Sequence, residues 1–424
     1  MAHNEFSKAE IEKLVEAAGI LVEAEKPLAV IHATSWPPET SRRFFAGKCR
    51  ELPRISYTPI DPARTFQMVA EARRLISGDS PVHQWLLRLA DVFDETARLI
   101  ANLGAPAFHE ISCRLFGSPD TLFSDGVLRT IDLAERIDSV LSSYADEDLM
   151  KNPELTLSAA ELQERFNVSI RQHFKENAPR VEIVETLSAR AVAGRDYIRL
   201  RADCRFSELD AVQLLQHEAF VHIATGNNGK NQFMFPILGE AHPGNTRTQE
   251  GLAVFAEFIS GALGPHRLRR LAGRVLGIKM SMDGANFLEL FEFYQERGEN
   301  RLDSFDMARR VVRGGLVEGG APFTKDVVYL GGLLDVHNYL RTVVRLGDAS
   351  LVRILFYGKF ELTDLEAIVM LRQAGVLNEP RVLAPWADDM GKLVSYLTYS
   401  TFLNEVNLDN VSSRYDFLAN WSKL

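Results

Sequence analysis

Apolar residues recur at helical spacing over Ser7 to Val22, His83 to Leu103 and Asp125 to Tyr144, with polar positions between them. The pattern predicts three amphipathic helices and makes residues 1–152 a mostly helical N-terminal region. Between the first two lie Trp36-Pro37-Pro38 and the stretch PRISYTPIDPART, whose prolines forbid a helix and predict extended connections. A second region, 153–424, opens after Asn152-Pro153 with the helix-like SAAELQERFNVSIRQHF. The pattern then changes to VEIVETL and ARAVAGRDYIRLRA, rich in β-branched residues, which predicts a short sheet with a hairpin at Gly194. Ser207, with Asp210 three positions on, is placed to cap a helix that carries Leu209, Val212, Leu214 and Leu215 and runs into HEAFVH. Thr248 to Gly261 forms a further helix, and the rest to Leu424 is helical with breaks at Gly314-Gly315 and Gly319-Gly320. The expected class is α+β, predominantly helical.

Composition narrows the setting. The chain has 424 residues, 46% hydrophobic and 25% charged, as in ordinary globular proteins. Its net charge is -9, and short basic stretches such as Arg267 to Arg274 read as one face of a helix, so nucleic acid is not an expected partner. No membrane association is expected either, because no apolar run reaches the roughly 18 residues of a membrane helix. The N-terminus lacks the pattern of a secretory signal, and Cys49, Cys113 and Cys204 form no CxxC pair. Buried free thiols and a cytoplasmic address are therefore expected. The sequence does not fix the oligomeric state.

The chemistry concentrates in His217-Glu218-Ala219-Phe220-Val221-His222, two imidazoles around an acid. Imidazoles four residues apart on a helix share one metal, but here the spacing is five, which an ideal α-helix would splay by ~140°. A π-bulge would restore both rings to one face, and Gly226 allows the helix to end or unwind soon afterwards. A hydrolytic zinc site takes three protein ligands and leaves a position for water. Glu250, at the start of the apolar helix TRTQEGLAVFAEF, is the favoured third ligand, with Glu257 seven residues on along about the same face. His242 and Glu240, in the intervening loop, stay open as alternatives. A phosphate-binding loop is not indicated, since Gly229-Lys230 is followed by Asn231 and not by Ser or Thr.

HEAFVHIATGNNGKNQ, TRTQEGLAVFAEFISG and RVVRGGLVEGGAPFTKDVVYLGGLLDVHNYLR resemble the DUF1704 family, the bacterial QEGLA-motif proteins, whose eukaryotic relatives are the tubulin tyrosine carboxypeptidases. The resemblance runs from about Pro153 to beyond Trp386. It implies a zinc site with the HExxxH spacing, with His217, His222 and Glu250 as ligands and Glu218 as the catalytic acid/base, on a zincin-like catalytic region. The implied activity is removal of a C-terminal residue from a peptide or protein. The bacterial family label, modulation of flavohaemoglobin expression, gives the alternative of a non-catalytic metal-binding regulator.

A carboxypeptidase must also hold a free carboxylate, for which Arg and Lys are suited. Arg247, Arg313 and Lys325 are the candidates taken from the sequence, with Arg341 behind them, and His337 and Tyr329 are candidate donors to a developing oxyanion. The hairpin near Tyr197 is expected to offer an edge strand along which an extended peptide could lie.

Overall fold

The structure is a computed structural model that describes residues 6–144, 150, 153–185, 187 and 189–403. The division at Asn152 and the helix expected to reach Leu424 fall outside these residues. The architecture is predominantly helical with a small sheet, as the hydrophobic pattern predicts, and no helix among the described residues is long and apolar enough to cross a membrane.

In the N-terminal part, helices span Lys8–Glu25, Pro81–Ala101 and Thr130–Ser142. The first is closed by a capping box in which Ser7 accepts from the Glu10 amide. The third starts five residues later than the periodicity suggests. Asp125 there accepts from the amides of Val127 and Leu128 and holds a turn in place of helix. A second correction concerns Pro38. It opens a helix, Pro38–Ala46, because at the first helical position the missing N–H would have no partner in any case. The stretch from Glu51 to Pro62 is free of helix and strand, as the prolines require.

Among the described residues five strands follow: β1 (Leu157–Ser158), β2 (Arg180–Val184), β3 (Ala191–Ala193), β4 (Tyr197–Arg201) and β5 (Arg205–Phe206). β1 pairs with β5, and β2, β4 and β3 form a sheet in that order, with β2–β4 parallel and β3–β4 antiparallel. The hairpin turns at Gly194 as expected, and a Cβ there would stand 2.2 Å from the Tyr197 ring, so a larger residue would have to displace that side chain. The strand of Tyr197 is central, and β2 and β3 are the edges.

Two apolar clusters share the molecule. One joins residues between Phe6 and Ala134 to Phe235, Leu271, Phe287, Tyr329, Ile368 and others. The second joins the sheet and the helix Ala159–Phe174 to Phe220, Phe255, Val336, Phe356 and Trp386. The helix Thr246–Ile259 serves both, since Val254 belongs to the first cluster and Leu252, Ala253, Phe255, Ala256 and Ile259 to the second. A helix apolar nearly all round is one packed on every side, and this one crosses the middle of the protein.

It meets the helix Val328–Leu346 backbone to backbone. A Cβ on Gly251 would lie 2.1 Å from the carbonyl carbon of Gly332, and one on Gly332 would lie 2.0 Å from the carbonyl oxygen of Arg247. Gly251→Ala should therefore force the helices apart and destabilise by about 1–3 kcal/mol, the usual range for overpacking. Urea unfolding checks this, and a variant as stable as the parent would show that the helices do not meet so closely.

Candidate metal centre

The helix capped by Ser207 runs as α-helix from Glu208 to Leu214 and then widens into a π-helix, Leu215–Ile223. Its end is marked by the Ala224 amide donating to the carbonyl of Ala219, five residues back. The wider turn brings His217 and His222 together, with ring centroids 4.9 Å apart. The helix does not end at Gly226. It resumes as α-helix through Ala224–Lys230.

Glu250 comes to the two imidazoles from the Thr246–Ile259 helix. Its Oε2 stands 3.5 Å from His217 Nε2 and 3.7 Å from His222 Nε2, and one ligand atom from each of the three residues lies within 4.8 Å of the others. These separations are too long for hydrogen bonds, and Glu250 Oε2 is buried without a hydrogen-bond partner. An orphaned carboxylate oxygen facing two ring nitrogens fits a cation, so this donor set could hold a metal ion. The other carboxylate oxygen, Oε1, accepts from Lys325 Nζ at 3.0 Å.

Glu257, one of the most deeply buried acids, holds the first imidazole from behind. It accepts from His217 Nδ1 at 2.7 Å, from Gln213 Nε2 at 2.9 Å, and from Arg267 through two nitrogens at 3.1 Å each. A carboxylate with no proton only accepts, so Nδ1 carries the hydrogen and Nε2 faces Glu250. Three residues beyond His222, Thr225 Oγ1 donates to Gln249 Oε1 at 2.9 Å and ties this helix to the one that carries Glu250.

The electrostatics show how strongly this pocket favours positive charge. Burial opposes charging His217, yet the carboxylates of Glu250, Glu257 and Glu218 push its pKa up to about 10. Burial likewise opposes the anion at Glu257, but Arg267 and His217 hold it down at about 2. Lys325 and the two imidazoles hold Glu250 well below the ordinary carboxylate range in spite of its burial.

Glu218 lies beside the group and is buried. Its Oε2 accepts from the amide of Ala193 on β3 at 2.8 Å, and Oε1 makes no hydrogen bond among the described residues. The remaining sequence candidates divide. Lys325 touches Glu250, and its ammonium sits 5.3 Å from the Tyr329 ring, whose other neighbour is Arg274 at 4.8 Å. Arg313 is buried against Phe323 and is not in contact with the group. Arg247 is engaged elsewhere, donating to Asp335 at 2.6 Å on a cavity of about 820 Å³ whose lining contains none of the three donors. His337 packs between Phe255 and Tyr396, against the second core. His242 and Glu240 do not join the donors. His242 is buried next to Asn245 and Phe93, and Glu240 pairs with Arg195.

Two features escape the sequence reading. The basic stretch from Arg267 to Arg274 does form one face of a helix, Pro265–Met282, but that face is turned inward toward Glu257 and Asp326. The spacing of Arg267, Arg270 and Arg274 was the available signal. Lys359 is the other feature: it lies alone in sequence and nothing marked it.

Residues 42–405 match the family described as microtubule-associated tyrosine carboxypeptidase. No curated protein matches the chain.

If Glu257 orients His217 for a metal, Glu257→Gln should weaken metal binding by roughly ten- to a hundredfold, as loss of such outer partners commonly does. Competition against a chromogenic chelator measures it. Unchanged affinity would leave Glu257 with a packing role only.

Proposed function

Because the chain belongs to the microtubule-associated tyrosine carboxypeptidase family, whose members act on peptide or protein chains, we propose that it is a zinc metallopeptidase that removes a C-terminal residue. The observation that carries the reading is the orphaned Glu250 oxygen facing His217 and His222 across a gap suited to an ion. In this reading His217, His222 and Glu250 hold the zinc and Glu218 is the general base. When bound, zinc supplies a Lewis acid that polarises the scissile carbonyl and eases deprotonation of a water.

The chain's own residues supply the rest. Glu218 takes the water's proton on Oε1, while the Ala193 amide keeps the carboxylate in place through Oε2. The same Oε1 then hands the proton to the leaving nitrogen. Glu257 and Arg267 keep His217 in one tautomer, so that its donor lone pair stays on the ion's side. Tyr329, between Arg274 and Lys325, is the candidate donor to charge developing on the carbonyl oxygen. The His-bearing helix beside the edge strand β3 supports a zincin-like catalytic region over 153–424, with 1–152 packed on it through the first apolar cluster. The free Oε1 of Glu218 favours catalysis over a regulator that binds metal structurally, since a structural site needs no base.

Glu218→Gln should keep the fold and the metal and lose about 10²–10⁴-fold in peptide hydrolysis, the usual contribution of a positioned base. His217→Ala, His222→Ala or Glu250→Gln should instead empty the site. Elemental analysis and mass spectrometry of peptide products read both. Full activity in Glu218→Gln, or full zinc in Glu250→Gln, would refute the assignment concerned.

A further inference from the structure

Lys359 is 9% exposed, and its ammonium forms no ion pair or hydrogen bond among the described residues. A buried cation normally has a carboxylate beside it, because leaving water unpaired is unfavourable. The other cations near the site have partners: Lys325 has Glu250, Arg267 has Glu257, Arg310 has Asp326, and Arg195 has Glu240. Lys230 donates to the carbonyl of Arg195.

The position of Lys359 is fixed by the backbone. Its amide donates to the Leu238 carbonyl at 2.6 Å and its carbonyl accepts from Asn245 at 3.3 Å. From there the side chain reaches the His-bearing helix, and Cε and Nζ lie 3.5 Å from where a Cβ on Gly226 would be. Gly226 is four residues, about one turn, beyond His222 on the same helix. Burial, relieved only in part by Glu240, lowers the lysine's pKa to about 8, and Glu250 and Glu218 are among the acids whose charge it feels. Arg313, a second buried cation with no ion pair among the described residues, packs against Phe323 and does not touch the donors.

We propose that Lys359 holds the free α-carboxylate of the substrate's last residue, an assignment that rests on the carboxypeptidase reading above. The missing partner of the lysine is then the anion that distinguishes a chain end from an internal segment. Lysine suits the task because its ammonium is a compact point charge that can pair with a single carboxylate.

The probe is N-acetyl-Ala-Ala-Tyr as the free acid and as the C-terminal amide. Binding is measured by calorimetry on the full, zinc-loaded chain carrying Glu218→Gln, and cleavage on the chain with Glu218 intact. The free acid should bind and be cleaved roughly ten- to a hundredfold better than the amide. Lys359→Met should abolish that preference with zinc content unchanged, and Lys359→Arg should recover part of it. The thermal midpoint of Lys359→Met should equal or exceed that of the parent, since an unpaired buried charge is removed; a large fall would make the lysine structural and overturn the proposal. Equal binding of acid and amide by the parent, or a preference that survives Lys359→Met but is lost in Arg313→Met, would overturn it as well. A preference that depends on Lys359 in a chain that cleaves neither peptide would uphold the carboxylate contact and reject the peptidase reading.

Discussion

Residues five positions apart on a helix reach a common point only if the turn widens, and the whole site is arranged around that widening. A π-turn is less favourable than an α-turn and persists where the surroundings hold it. Here the support comes from three sides. Glu257 holds the His217 ring, Gln249 meets Thr225 just beyond His222, and the β3 amide of Ala193 holds Glu218 between them. Two of these partners, Gln249 and Glu257, lie on the helix that also carries Glu250. The packing of these two helices thus ties the widened turn to the third donor.

Charge is arranged in layers around that contact. Innermost are the carboxylates of Glu250 and Glu257 on either side of His217; outside them are Lys325 and Arg267, and beyond these Arg274 and Arg310 share Asp326. Arg310 donates to Asp326 through two nitrogens, at 2.6 and 2.8 Å, and holds that acid far below its ordinary pKa. Lys325 and Arg267 compensate the inner carboxylates, and Asp326 compensates the outer arginines, which allows several buried acids to stay ionised. Removing one member leaves its neighbour uncompensated, so effects of substitutions in this group should not add.

Much of this was legible in the sequence. The two-helix origin of the donors, the need for a widened turn, the Ser207 cap and the Gly194 hairpin all follow from local rules of spacing and turn chemistry. What was not legible depends on tertiary placement. Arg247 and His337 lie in the motif-rich segments, but Arg247 points to Asp335 and His337 to the second core, because helix direction and not sequence proximity decides what a side chain meets. Gly226 gave a false stop: with neighbours packed on both sides, glycine's low helix propensity is overridden. Lys359 carries no local signal at all, since its significance comes from burial without a partner.

The contact of Gly251 with Gly332, between the Glu250 helix and the helix that follows Lys325 and carries Tyr329, is made by backbone atoms. The gap between these two helices is therefore independent of the volume of any neighbouring residue. Both apolar cores can exchange one aliphatic or aromatic residue for another over evolutionary time, repacking as they go, while the distance from the third donor to Lys325 and Tyr329 stays constant. The chemistry is in this way insulated from drift in the core that surrounds it, at the expense of two positions where any residue larger than glycine would force the helices apart.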